Sequence, residues 1–335
     1  MTGGEQGEQI NPKAIKRGGI VDALIGNTGF IGSELTRHHD FGATFNSKTI
    51  GTIGQSHYQT IVCAAAPGSM MEANRMPDQD ASRIDALIDS LRSVAASDFV
   101  LISTIAVLRG FSAENEDTAE FETNIAYGVN RRRLEAFVLE HFERPLVIRL
   151  PALFGGVLRK NFLFDILNPV PSMLSAEKLD STKKDLEAEL AAIVDRIYRW
   201  DTGLSLYVVD RAALDASGRR ADLETAVEEI GGSALQFTNP ASHFQFYDIG
   251  RLWSDIGKGM EAGLRVLHLS PVPLAAADVF RAVRGAEMPP TSARVHGEDM
   301  RTTHADLWGR GGSYSADADQ VIAGIRRYFE RVRAA

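Results

Sequence analysis

The chain has 335 residues, 44% hydrophobic and 24% charged, enough apolar material for a sizeable core in one large domain or two coupled ones. A formal net charge of -8, with clusters such as Arg131-Arg132-Arg133 set among acidic neighbours, argues against nucleic acid as a partner. No apolar run approaches the ~20 residues of a membrane span, and the single cysteine, Cys63, can form no intrachain disulfide, so a cytoplasmic, reducing location is expected.

Residues 1–18, rich in Gly, Glu and Gln and without a signal-peptide core, are expected to form a flexible leader. The apolar run at 20–26 predicts a buried strand, and it leads into Gly26-Asn27-Thr28-Gly29-Phe30-Ile31-Gly32, a GxxGxxG turn opening a helix over 29–39. Glycines suit that place because the backbone must turn tightly, let a pyrophosphate approach the main chain, and let the helix pack close to the strand. Amides at the helix start then face the anion, so the segment reads as a nucleotide-binding loop.

A short strand at 43–46 ends in Phe45-Asn46-Ser47-Lys48, and a further strand at 60–66 carries Cys63 as a core thiol and ends in Ala64-Ala65-Ala66. Ile84, Leu87, Ile88 and Leu91 make one stripe of a helix over 79–95, a strand follows at 98–104, a helix at 124–141 and a strand at 145–150. Alternation of this kind predicts an α/β fold with a parallel sheet covered on both faces. After Pro151 the character changes. Leu179, Leu186, Leu190, Ile193 and Ile197 continue a helical periodicity, 204–210 reads as a strand, 220–230 as an acidic helix, 264–269 as a strand and 319–332 as an amphipathic helix. Nothing in the pattern assigns a role to the 175–235 insertions.

A second constellation lies in the 124–141 helix. A spacing of four puts Tyr127 and Arg131 on one face, and Ser103-Thr104 ends the preceding strand. A cation beside the phenol is expected to lower its pKa, so that Tyr127 can exchange a proton with a carbonyl or alcohol oxygen oriented by the Thr104 hydroxyl.

In this order the motifs resemble the extended short-chain dehydrogenase/reductase family, in its nucleotide-sugar branch. They are the glycine turn, Ala64-Ala65-Ala66-Pro67, Leu101-Ile102-Ser103-Thr104, Tyr127-x-x-x-Arg131 and Val147-Ile148-Arg149-Leu150-Pro151-Ala152-Leu153-Phe154-Gly155. The resemblance is firm over 19–165 and looser beyond. It implies a Rossmann doubly wound parallel sheet over 19–165 that binds NAD(P), followed by a smaller C-terminal substrate-binding region over 166–335 that partly returns to the sheet. It further implies Thr104, Tyr127 and Arg131 as catalytic residues, Pro151 near the nicotinamide, and a homodimer built on the helices at 79–95 and 124–141. The cofactor is then held by Gly26 to Gly32, Ala64 to Ala66, Tyr127, Arg131, Pro151 and the Asn46-Ser47-Lys48 segment. With no carboxylate at Asn46 to bond ribose hydroxyls and repel a 2'-phosphate, NADP is expected ahead of NAD. Arg159, Asn161, His243 and Gln245 are candidates for the substrate diphosphate.

Two departures bear on activity. Arg131 stands where the family has lysine; it keeps the charge but is bulkier and relays no proton. Ile105-Ala106 follow Thr104 where the family's dehydratases carry an Asp-Glu pair, which disfavours dehydration. The expectation is reduction of a nucleotide-activated keto-sugar; the alternatives are an epimerase with retained cofactor and a catalytically silent dinucleotide-binding sensor or scaffold.

Overall fold

The computed structural model describes residues 21–334. The leader expected over 1–18 lies outside the described residues. Five parallel strands arise in the first half: β1 (Val21–Ile25), β2 (Ala43–Phe45), β3 (His57–Cys63), β4 (Ala95–Thr104) and β5 (Pro145–Leu150). Between them run α1 (Phe30–His38), α2 (Met70–Arg75), α3 (Pro77–Leu91) and α4 (Ala126–His141). A sixth strand, Val266–His268, joins from the C-terminal half, and the order across the sheet is Val266–His268, β5, β4, β3, β1, β2.

Successive side chains of a strand point to opposite faces, so a sheet covered on both sides needs apolar residues at nearly every position. β1 meets this requirement: Ala23 and Ile25 enter a core with Ile84, Leu91, Leu134 and Val138 of α3 and α4, while Leu24 enters another with Leu35 of α1 and Leu252 and Ile256 of the helix Leu252–Glu261. The sheet is therefore doubly wound. β1 lies between β2 and β3, so the strand order reverses there, and folds of this kind open a crevice at the carboxyl ends of the strands flanking that reversal.

Beyond Pro151 most of the elements are short, and two further cores gather there. The strands Ala152–Phe154 and Phe246–Asp248 pair in parallel, and Phe154 and Phe246 pack with Val321, Ile325 and Phe329 of the terminal helix Ala318–Ala334. The insertion forms a lobe in which Leu206–Val209 is the central strand between Met173–Leu174 and Tyr198–Asp201. The helical run expected through Leu179 to Ile197 is two helices, Ala176–Asp185 and Ala188–Ile197, broken where Leu186 and Glu187 take extended backbone angles. Both halves still deliver their leucines to one cluster, with Leu214, Leu223 and Val227, which is why their spacing mimics a single helix. No helix among the described residues is long and apolar enough to cross a membrane.

Candidate active site

The glycine turn connects β1 to α1 at the reversal point. Gly26 has φ +92°, a left-handed value that favours glycine, and a Cβ there would lie 2.6 Å from the Ala64 carbonyl oxygen. A Cβ on Gly32 would collide with the Gly26 carbonyl, so this glycine lets the helix sit against the turn. Gly29 differs: its Cβ would meet only the Gly26 oxygen, at 3.4 Å, and otherwise open space. It is the N-cap of α1 and brings no side-chain cap, so the first amides of the helix have neither an intrahelical partner nor a capping oxygen. The Asn27 Oδ1 is buried without a hydrogen-bond partner. Ala64 to Ala66 follow β3 on the neighbouring strand, and Asn46 follows β2, its Oδ1 accepting the Lys48 amide at 2.9 Å.

Tyr127 is brought to Thr104 by three local devices. Gly128 packs so tightly on the segment after β4 that a Cβ would strike the Ala106 carbonyl oxygen. The Asn74 Oδ1, from α2, accepts the Tyr127 amide at 3.0 Å and caps the start of α4. Glu122 accepts the amides of Thr123, Asn124 and Ile125 on the approach. The phenol lies close enough to the Thr104 hydroxyl for that group to pull its pKa down. Thr104 also accepts the Ala106 amide at 3.2 Å, which fixes its rotamer.

Arg131 lies on the same helical face as expected, with its guanidinium carbon 4.1 Å from the Tyr127 ring centroid, over the ring face. Its other contacts change the electrostatics. The guanidinium bonds the buried Asp80 carboxylate, which also accepts Asn130 at 2.8 Å, and the Pro67 carbonyl; its Nε is buried without a partner. The expected lowering of the Tyr127 pKa is therefore corrected. Burial raises it, Arg131 and the Thr104 hydroxyl pull it down, Asp80 pushes it up again, and the balance lies above the ordinary value for tyrosine. The phenol stays protonated at neutral pH.

Three of the other candidates, Asn161, Gln245 and His243, have structural partners. Asn161 caps the helix Phe162–Leu167, accepting the amides of Leu163 and Phe164 and donating to the Leu153 carbonyl at 2.7 Å. Gln245 is fully buried and bonds Pro271 and Met300 with its amide group. Neither side chain is free for a diphosphate. His243 sits in the short strand His243–Phe244 beside Leu274–Ala275, its Nδ1 on the Ala241 carbonyl, with no contact to the Thr104–Tyr127 group. Arg159 is exposed and has no ion-pair partner among the described residues. Lys160 reaches across to the Gly68 carbonyl, one residue from the carbonyl that Arg131 holds. Pro151 is buried at the end of β5.

Asp80, Asn74 and Gly128 did not emerge from the sequence. Asp80 and Asn74 lie on helices distant in the chain and carry no motif; Gly128 adjoins Tyr127, and a glycine inside a helix is a sign of close packing.

No family model matches the chain, and no curated protein does. Solved structures do match. RMD from Pseudomonas aeruginosa, complexed with NADPH, superposes with a TM-score of 0.58 at 13% identity, over 93% of this chain and 99% of that one. A dTDP-4-dehydrorhamnose reductase from Bacillus anthracis in complex with NADP gives 0.58 at 14% identity, over 94% and 100%. UDP-glucose 4-epimerase from Thermotoga maritima with UDP-glucose gives 0.56 at 13%, over 93% and 98%. At these identities the likeness is one of fold, and the chain thus folds, over nearly its whole described length, as this reductase and this epimerase do.

Proposed function

We propose that the protein is an NAD(P)-dependent oxidoreductase that reduces a keto group of a nucleotide-activated sugar. The observation that carries this reading is the meeting of a protonated Tyr127 with Thr104 at the same carboxyl edge of the sheet as an uncapped glycine turn. Similar structures bound to NADPH, NADP or UDP-glucose support the cofactor and the substrate class.

The residues present fit a dinucleotide. Gly29 leaves room over the free amides of α1, and the orphaned Asn27 Oδ1 can accept a hydroxyl. Bound NAD(P)H supplies the hydride. Thr104 orients the substrate carbonyl oxygen, and Tyr127 protonates it as the new C–H bond forms. A phenol with a raised pKa suits this direction, because reduction consumes a proton donor. Epimerisation would use the same group first as a base and then as an acid, and is the alternative reading. The Arg131 Nε, buried and unpartnered, is the donor left for the cofactor ribose once Asp80 and Pro67 have taken the rest of the guanidinium. The Asn46 turn, without a carboxylate, favours NADP over NAD.

Titration with NADPH and NADH tests the cofactor half. Gly29→Val should abolish binding while the protein stays folded, since the added Cβ meets only the Gly26 oxygen, at 3.4 Å, and the side chain fills the phosphate space; unchanged affinity in the folded variant would sink the proposal. Cofactor binding with no turnover on any keto-sugar would leave the silent sensor as the better account. The homodimer remains part of the proposal. Outward positions on α3 and α4 carry ion pairs such as Arg133–Asp85 at 2.9 Å, so an interface there would be polar, and light scattering at micromolar concentration decides it.

A further inference from the structure

A cavity of about 740 Å³ lies between the helix Leu252–Glu261, the 307–316 segment and the terminal helix Ala318–Ala334. None of the glycine turn, Ala64 to Ala66, Thr104 or Tyr127 lines it. Its walls carry four cations, Arg251, Lys258, Arg310 and Arg327, against two carboxylates, Asp248 and Asp255. In a chain of net charge -8 this is a local inversion of sign.

The carboxylates are already engaged. Asp255 accepts the Tyr247 hydroxyl at 2.7 Å and the Trp308 indole N–H at 2.9 Å, with Arg251 at 3.6 Å, and Asp248 accepts the Gly250 amide at 3.0 Å. Arg310 is paired with Asp317 at 2.7 Å. Lys258 and Arg327 have no ion-pair or side-chain hydrogen-bond partner among the described residues, although both line the cavity. Ser315 also lines it, is 2% exposed, and its Oγ is buried with no partner. A buried hydroxyl left unmatched in a cavity also lined by two cations without ion-pair partners is a set of donors lacking an acceptor. Trp308, held by its N–H on Asp255, adds a fixed aromatic wall. The volume is far more than one phosphate needs and lies within the range of small-molecule sites.

We propose that this cavity is a second ligand site, separate from the catalytic crevice, for a nucleotide: phosphates on Lys258, Arg327 and the Ser315 hydroxyl, and the planar base along Trp308. The site shares no lining residue with the Thr104–Tyr127 group, so its occupant would bind apart from the reaction assigned to Tyr127.

The chain has three tryptophans, so Trp200→Phe with Trp253→Phe leaves Trp308 as the only indole reporter. Titrating ADP into that protein should change Trp308 emission saturably, and adenosine should not. Adding Lys258→Gln and Arg327→Gln, both partly or fully solvent-facing positions that tolerate polar replacements, should weaken the response about tenfold or more, as expected when charge-assisted bonds are lost. Ser315→Ala should weaken it by a smaller factor. No emission change with ADP at millimolar concentration overturns the proposal. So does a change of equal affinity in the Lys258→Gln/Arg327→Gln protein, which would place the ADP at the glycine turn and make Trp308 a remote reporter.

Discussion

Two buried ion pairs sit one turn apart on α4 and serve different ends. Arg131 with Asp80 faces the crevice beside Tyr127 and is incompletely satisfied, with one guanidinium nitrogen lacking a partner. Glu135 with Arg149 faces the sheet and is saturated: the carboxylate accepts Ser103 at 2.6 Å, Arg149 at 3.0 and 2.7 Å and Arg132 at 3.2 Å, while the Arg149 Nη1 bonds His268 at 3.1 Å. The second pair ties α4, β4, β5 and the Val266–His268 strand together directly behind Thr104. The pair that holds the fold is matched within it, whereas Arg131 Nε and Asn27 Oδ1, two of the five side-chain atoms buried without a partner among the described residues, lie on segments that flank the crevice, where a ligand can complete them.

The largest expected effect comes from breaking the saturated pair. Glu135→Leu leaves Arg149 charged and unpaired at 2% exposure, which costs about 3–5 kcal/mol and should appear as a large drop in the denaturation midpoint. A loss below ~1 kcal/mol would contradict the positioning role given to Glu135.

Acid should strain the same region. Burial, with Arg149 beside it, holds the His268 imidazole down to about 4, while Glu116 pulls the other way. The neutral ring accepts from Arg149 and donates from Nδ1 to the Arg301 carbonyl at 2.9 Å. Because the folded pKa lies below the unfolded value near 6.5, the unfolded chain binds the proton first, and stability falls as pH drops from about 6.5 toward 4, by up to about 3 kcal/mol. Melting temperature against pH, compared between the native chain and His268→Asn, checks this; the variant should lose most of the slope.

Asp80→Asn probes the unsaturated pair. Asp80 raises the Tyr127 pKa, so its neutralisation should move the alkaline limb of the reductive pH profile downward while leaving the acid side unchanged. An upward shift would reverse the electrostatic account. The smallest effect is at Cys63, which burial pushes up to about 11; the folded protein should resist thiol alkylation at pH 8.

The same contrast explains what was legible in the sequence. Strands buried on both faces announce themselves as apolar runs, so β1 and β5 lie within a residue or two of expectation, as does the short edge strand β2, and the glycine turn identified its own position. β3 starts earlier than expected, at His57, because its first residues lie at an exposed edge of the pattern. The position of Arg131 was readable from helical spacing. Its partner was not, since Asp80 is 51 residues away and only the packing of α3 on α4 brings the carboxylate in. Asn161 and Gln245 look like ligand residues in a list of polar side chains, but a cap and a fully buried amide are roles that only backbone geometry discloses.

The central claim is that Tyr127 is the proton donor of a reductase. Tyr127→Phe keeps the ring under Arg131 and removes only the hydroxyl. With a nucleotide-activated keto-sugar and NADPH, the account predicts a turnover rate at least ~100-fold lower with NADPH affinity little changed. Full activity in Tyr127→Phe on the same substrate would contradict it.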